Sequence, residues 1–111
     1  MTKLTQTFAA LADDTRFEIV ERLVAGGEMA AGDLSDGFGI SAPAISRHLK
    51  VLRTAGLIDQ RGKGTHRYCP VRPEALRAIA DWTSNHRAFW EGSLDRLDTL
   101  LALDPDGEEE A

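Results

Sequence analysis

The chain has a single cysteine, Cys69, among its 111 residues. It therefore forms no internal disulfide, which suits a reducing compartment. No stretch approaches the roughly 20 consecutive apolar residues that a membrane-spanning helix needs. The opening Met1 to Gln6 lacks the basic-then-apolar build of a signal peptide. The expectation is a soluble, cytoplasmic protein with no membrane partner. Gly-rich phosphate loops of the P-loop or dinucleotide type are missing as well. His66 and Cys69 lie an odd number of residues apart, so in a strand they point to opposite faces and cannot pair as base and nucleophile. The sequence offers no enzyme. Repeats and inter-domain linkers are also lacking, and 111 residues suit one domain.

Net positive charge is absent too, since the total is −5. Its distribution is uneven. Between Ser41 and Tyr68 stand Arg47, Lys50, Arg53, Arg61, Lys63 and Arg67 against Asp59 alone, a local +5 that leaves −10 for the rest. A basic island on an acidic body is the footprint of a surface that meets phosphate.

Apolar spacing predicts a mainly helical chain of about five helices with a two-stranded β-wing. Leu4, Phe8 and Leu11 mark a first helix. Asp13 is placed to cap a second, with Asp14 in its first turn, a buried stripe of Phe17, Ile19, Val20, Leu23 and Val24, and Gly26-Gly27 at its end. Met29, Leu34, Phe38 and Ile40 are the apolar points of a short third helix closed by Gly37 and Gly39. Ser41 caps the fourth, with Pro43 in its first turn and Ile45, Leu49 and Leu52 as its buried stripe, ending at Gly56. The runs Leu57 to Arg61 and Thr65 to Cys69 then read as a hairpin about a Gly62-Lys63-Gly64 turn. A last, continuous helix is expected from Pro73 to about Leu103. Residues 1–103 form one domain in this reading, and 104–111 an acidic disordered tail.

Two helices joined by a glycine turn, the second capped and basic, followed by a basic hairpin, make a winged helix-turn-helix. A major groove about 12 Å wide admits one helix whose N-terminal residues reach base edges. Its inner side must be apolar and its outer side small, polar or cationic. Candidate DNA-binding residues are therefore Ser41, Ala42, Pro43, Ser46, Arg47 and Lys50 on the helix. Arg53, Arg61, Lys63, Thr65, His66 and Arg67 add phosphate or wing contacts. The spacing Trp90, Leu94, Leu97, Leu101 suits a coiled-coil-like seam, and Leu4, Phe8 and Leu11 repeat it. With Trp82, His86 and Phe89 these form the expected homodimer interface. The aromatic residues there also offer a pocket for a small apolar effector.

The segment Ile40 to Ile58, with its Ser46-x-His48-Leu49-x-x-Leu52-x-x-Ala55-Gly56-Leu57 pattern, resembles the recognition-helix region of the ArsR/SmtB family of bacterial repressors. Leu11 to Val20 resembles the family's opening helix segment and Gly64 to Tyr68 its wing; in all, the resemblance covers residues 4–101. It implies a homodimer that represses promoters at an imperfect palindrome and releases DNA on binding an effector. Two departures stand out. Ala42 occupies a position that is often Gln in the family, so the target sequence does not carry over. Metal-sensing members place a Cys-x-Cys pair where this chain has Glu28-Met29-Ala30-Ala31-Gly32-Asp33-Leu34, and no thiolate remains to bind arsenic, cadmium or lead. The terminal-helix zinc pattern is lacking as well, because Asp81 is followed two places on by Thr83 and His86 three places on by Phe89. The expectation is no metal, no cofactor and a non-metal effector.

Other readings remain at this point. His48 is either a DNA contact or a structural residue of the recognition helix, and His66 either a groove contact or a solvated loop residue. His86 is a seam residue before it is a metal ligand. Cys69 is an inert strand-end residue or, if exposed, a redox-sensing thiol. The whole chain could also be a metal- or thiol-sensing repressor with unrecognised ligands, or a winged helix that binds protein.

Overall fold

In the computed structural model residues 4–103 are described, the side chain of Lys63 apart. The elements in order are α1 (Leu4–Leu11), α2 (Asp14–Gly26), β1 (Met29–Ala30), α3 (Ala31–Phe38), α4 (Ala42–Thr54), β2 (Arg61–Lys63), β3 (His66–Cys69), α5 (Pro73–Asn85) and α6 (Arg87–Leu103). The acidic segment 104–111 lies outside the described residues. The chain forms two compact units, one up to Ala78 and one from Ile79 onward.

In the first unit, α2 starts where Asp13, in extended conformation, accepts the Arg16 amide at 3.0 Å. This satisfies one of the donors that every helix start leaves open. Ser41 does the same for α4, accepting the Ala44 amide at 3.3 Å, with Pro43 in the first turn. At the other end of α4 the Leu57 amide reaches the Leu52 carbonyl and the Gly56 amide reaches that of Arg53, each at 3.0 Å. This Schellman closure needs a left-handed residue, which Gly56 supplies at φ 80°. The chain thereby turns back and drops Leu57 and Ile58 into the core.

That core joins Ile19, Val20 and Leu23 of α2, Leu34 of α3 and Ile45, Leu49 and Leu52 of α4, with Ala10, Leu57, Ile58 and Cys69. Removing a side chain such as Leu49 to Ala would cost about 2–5 kcal/mol. Phe17 and Val24, expected inside with the α2 stripe, are instead 50% and 56% exposed. The stripe is narrower than a count of apolar residues suggests, because α1 and α4 pack on the face that carries Ile19, Val20 and Leu23.

Three expectations about connections are corrected. Met29 is not part of the third helix. With Ala30 it forms β1, which pairs antiparallel with Cys69 and Tyr68 of β3, so the wing sheet has three strands in the order β1-β3-β2. Ile40 likewise lies beyond the third helix, whose last residue is Phe38; Gly37 is inside that helix and Gly39 closes it. The hairpin turn sits at Gly64-Thr65, with Gly62 and Lys63 paired in β2 against Arg67 and His66. Gly64 has φ 64° and Thr65 does not share the positive sign, the signature of a type II′ turn. Below Arg61 the hairpin continues through Asp59 N–H to Pro70 C=O at 2.9 Å and Arg72 N–H to Leu57 C=O at 2.8 Å.

The expected continuous last helix is broken at His86. The Trp82 carbonyl accepts from the His86 ring Nδ1 at 2.8 Å, while the His86 amide is shared, at 3.2–3.3 Å, between Thr83 and Trp82 carbonyls. Thr83 Oγ1 also donates to the Ile79 carbonyl at 3.0 Å. Side chains that compete for helix carbonyls loosen the ladder at that turn. In the second unit α6 has no buried residue. Phe89, Trp90, Leu94, Leu97, Leu100, Leu101 and Leu103 are all exposed. No described helix is long and apolar enough to cross a membrane.

Candidate nucleic-acid interface

With Ile45, Leu49 and Leu52 of α4 fixed in the core, helical geometry decides what faces outward. Pro43, Arg47, Lys50 and Thr54, spaced by four, three and four, line the side opposite the core, and all four are exposed. Ala42, Ser46 and Arg53 flank them, also exposed. Ser41 is exposed at the helix start with its hydroxyl engaged as the cap. Thr54 was missed in the sequence, although the same spacing that places Arg47 and Lys50 would have found it.

The cations of the island are not equivalent. Arg53 donates to the Gln60 side chain at 3.0 Å. Arg61 is ion-paired with Glu28, just before β1. Arg47, Lys50 and Arg67 make no ion pair among the described residues and keep their full charge for an incoming anion. At the wing, Thr65, His66 and Arg67 are exposed, and the His66 and Tyr68 rings lie edge-on at 6.3 Å. Lys63 ends β2 opposite His66. The outer side of α4 and the hairpin are thus both exposed. Glu28 had no local signal in the sequence, because its partner is 33 residues away.

His48 is half-buried on the flank of α4, with Nδ1 3.9 Å from Asp13 Oδ2. It therefore faces the start of α2. Asp13 titrates below the ordinary carboxylate range, chiefly because its oxygen accepts the Arg16 amide, with Arg16 and His48 charges adding to the effect. Cys69 is buried, and desolvation raises its thiol pKa. A buried, protonated thiol is a poor nucleophile. Among the described residues no three His, Cys, Asp or Glu side chains gather as a metal site.

A helix-turn-helix domain family matches residues 11–61. The regulator Rv2034 of Mycobacterium tuberculosis, named an HTH-type transcriptional regulator, is 40% identical over 101 residues, covering 91% of each chain. The crystal structure of the ArsR family transcriptional regulator RHA00566 superposes with a TM-score of 0.72 at 30% identity, over 79% of this chain and 96% of that one. The chain belongs to the ArsR family of winged helix-turn-helix regulators. A further solved structure, the homodimeric winged helix-turn-helix DNA-binding domain Mb0332 of Mycobacterium bovis, has a TM-score of 0.61 at 26% identity, over 74% of this chain and 78% of that chain. As an ArsR-family member the chain serves DNA-binding transcription regulation, and its relatives are regulators and not enzymes.

In the second unit, the Trp82 and His86 rings lie 4.7 Å apart and those of Phe89 and Trp90 meet edge-on at 5.3 Å. Of the expected dimer residues in the first unit, Phe8 is exposed, whereas Leu4 and Leu11 are half-buried and Leu11 packs partly on the chain's own core.

Proposed function

We propose that the protein is a homodimeric repressor that binds an imperfect palindrome in duplex DNA. The observation that carries this reading is the outer side of α4, where Arg47 and Lys50 are exposed and unpaired above a fully apolar inner stripe. Ser41, Ala42, Pro43 and Ser46 bring the helix start close to base edges, and Arg47 reads a base. Lys50, Arg53, Lys63, Thr65, His66 and Arg67 take phosphates or the neighbouring groove. Arg61 joins them when it leaves Glu28.

Dimerisation is supported by α6, whose apolar side chains leave a face too large to stay in water. Trp90, Leu94, Leu97 and Leu101 form the seam with the partner's copy, bordered by Trp82, His86 and Phe89. Leu4, Phe8 and Leu11 contribute a second strip. Two-fold symmetry then sets two recognition helices roughly 34 Å apart in successive major grooves. A dimer seated across a promoter in this way blocks polymerase, which is repression by occlusion. Release of DNA by a non-metal effector completes the reading, and the protein resides in the cytoplasm.

Hydroxyl-radical footprinting of duplex from the protein's own upstream region tests it. Two protected patches about 10 base pairs apart, related by a dyad, are expected. A single patch, or uniform weak protection, would refute the dimeric operator complex.

A further inference from the structure

Beside the outward side of α4, and sharing Lys50 and Thr54 with it, lies an open groove of about 470 Å³, formed by α1, the start of α2 and the C-terminal half of α4. Its volume falls within the about 300–1,000 Å³ typical of small-molecule sites. Small residues keep it open: Ala9 and Ala10 on one wall and Ala55 on the other. Val51 adds a branched apolar side chain that is 41% exposed, on a helix whose other outward residues are mostly polar or cationic.

The charge in this groove has one sign. Arg16 and Lys50 line it, and among the described residues no carboxylate does. The Arg16 side chain is held in place by its Nε, which donates to the Ala10 carbonyl at 2.7 Å. That leaves its terminal nitrogens for another acceptor. Neither cation makes an ion pair among the described residues; Asp13, whose carboxylate feels the Arg16 charge, is occupied with the Arg16 amide. Two cations at the edge of an apolar, alanine-floored trough fit a molecule with an anionic head and an aliphatic body. A small hydrophilic anion would leave the trough unfilled, and a cationic amphiphile would be repelled.

We propose that this groove binds an amphiphilic carboxylate of medium chain length, its head between Arg16 and Lys50 and its chain along Val51 and the alanines. Lys50 also stands in line with Arg47 on the DNA-facing side of α4. A carboxylate that takes Lys50 removes a phosphate partner from each protomer, so the ligand releases DNA. This second step rests on the reading of α4 as the DNA-binding helix; the binding site itself does not.

The test uses the full-length protein, isotope-labelled and free of DNA, titrated with octanoate, and in parallel with octanol and octylammonium. Octanoate is expected to shift the amides of Ala9, Ala10, Val51, Thr54 and Ala55 saturably, while the other two bind about tenfold more weakly or not at all. Gln6→Glu, which puts a carboxylate on the α1 wall away from the DNA-facing side, should weaken octanoate about fivefold and leave the remaining spectrum unchanged. Equal shifts with all three amphiphiles, no shifts, or shifts confined to the α6 aromatics would overturn the site. Octanoate is then added to the protein on its duplex. Release from the wild type at concentrations that spare Gln6→Glu supports the coupling, and unchanged affinity overturns it. Saturable amide shifts in a protein that holds no duplex would defeat the proposed function and leave the site standing.

Discussion

Glu28 holds Arg61 across 33 residues of sequence, tying the first strand of the wing hairpin to the segment that enters β1. One carboxylate therefore neutralises a cation on the surface proposed to meet DNA. The pair is exposed, so its own contribution to stability is small, and its effect falls on binding.

Glu28→Gln frees Arg61 and removes a negative charge beside the wing. Duplex affinity should rise, and the dependence of log K on log salt should steepen by about one phosphate contact per protomer. Fluorescence anisotropy at several salt concentrations reads both. A loss of affinity in a folded variant would mean that Glu28 orients Arg61 toward the duplex.

The Asp13 carboxylate that caps α2 titrates lower in the folded protein than in the unfolded chain. Its stabilisation is present above the ordinary carboxylate pKa of about 3.9 and is lost as pH falls through the depressed folded value. Asp13→Asn keeps a capping oxygen that does not titrate. Melting temperature followed against pH should therefore fall more steeply below pH 4 in the wild type than in Asp13→Asn. Parallel curves would remove Asp13 from the acid response.

Burial and a raised pKa shield Cys69 from thiol reagents. Alkylation at neutral pH should be slow and should follow the unfolding curve in denaturant. Rapid labelling of the native protein would contradict the packing of β3 against the core.

Leu97→Glu places a charge in the proposed α6 seam. Sedimentation should show a monomer, and half-site binding alone should lower operator affinity by about a hundredfold. A dimer that persists in this variant would move the interface elsewhere.

The recognition helix was legible in the sequence because its signals are local: a capping Ser41, Pro43 in the first turn, Gly56 after the end, and a stripe at Ile45, Leu49 and Leu52. The capping role of Asp13 was legible for the same reason. What escaped depends on distant partners. Met29 and Ala30 are a strand only because Tyr68 and Cys69 lie beside them, and two residues carry no period of their own. Gly62 and Gly64 both invited a turn, and pairing of Gly62 with Arg67 decided for Gly64. The break at His86 coincides with a ring nitrogen reaching the Trp82 carbonyl, a contact that apolar spacing does not register. At the candidate interface the cations could be enumerated, but the partners that occupy Arg53 and Arg61 could not.

The account turns on Arg47 reading a base from the outer side of α4. Anisotropy of the wild type and Arg47→Ala, each with duplex from the upstream region and with a scrambled duplex, measures this directly. The expected result is a loss of about 1–3 kcal/mol on the cognate duplex and little change on the scrambled one. Equal affinity of Arg47→Ala and wild type for the cognate duplex would contradict the claim.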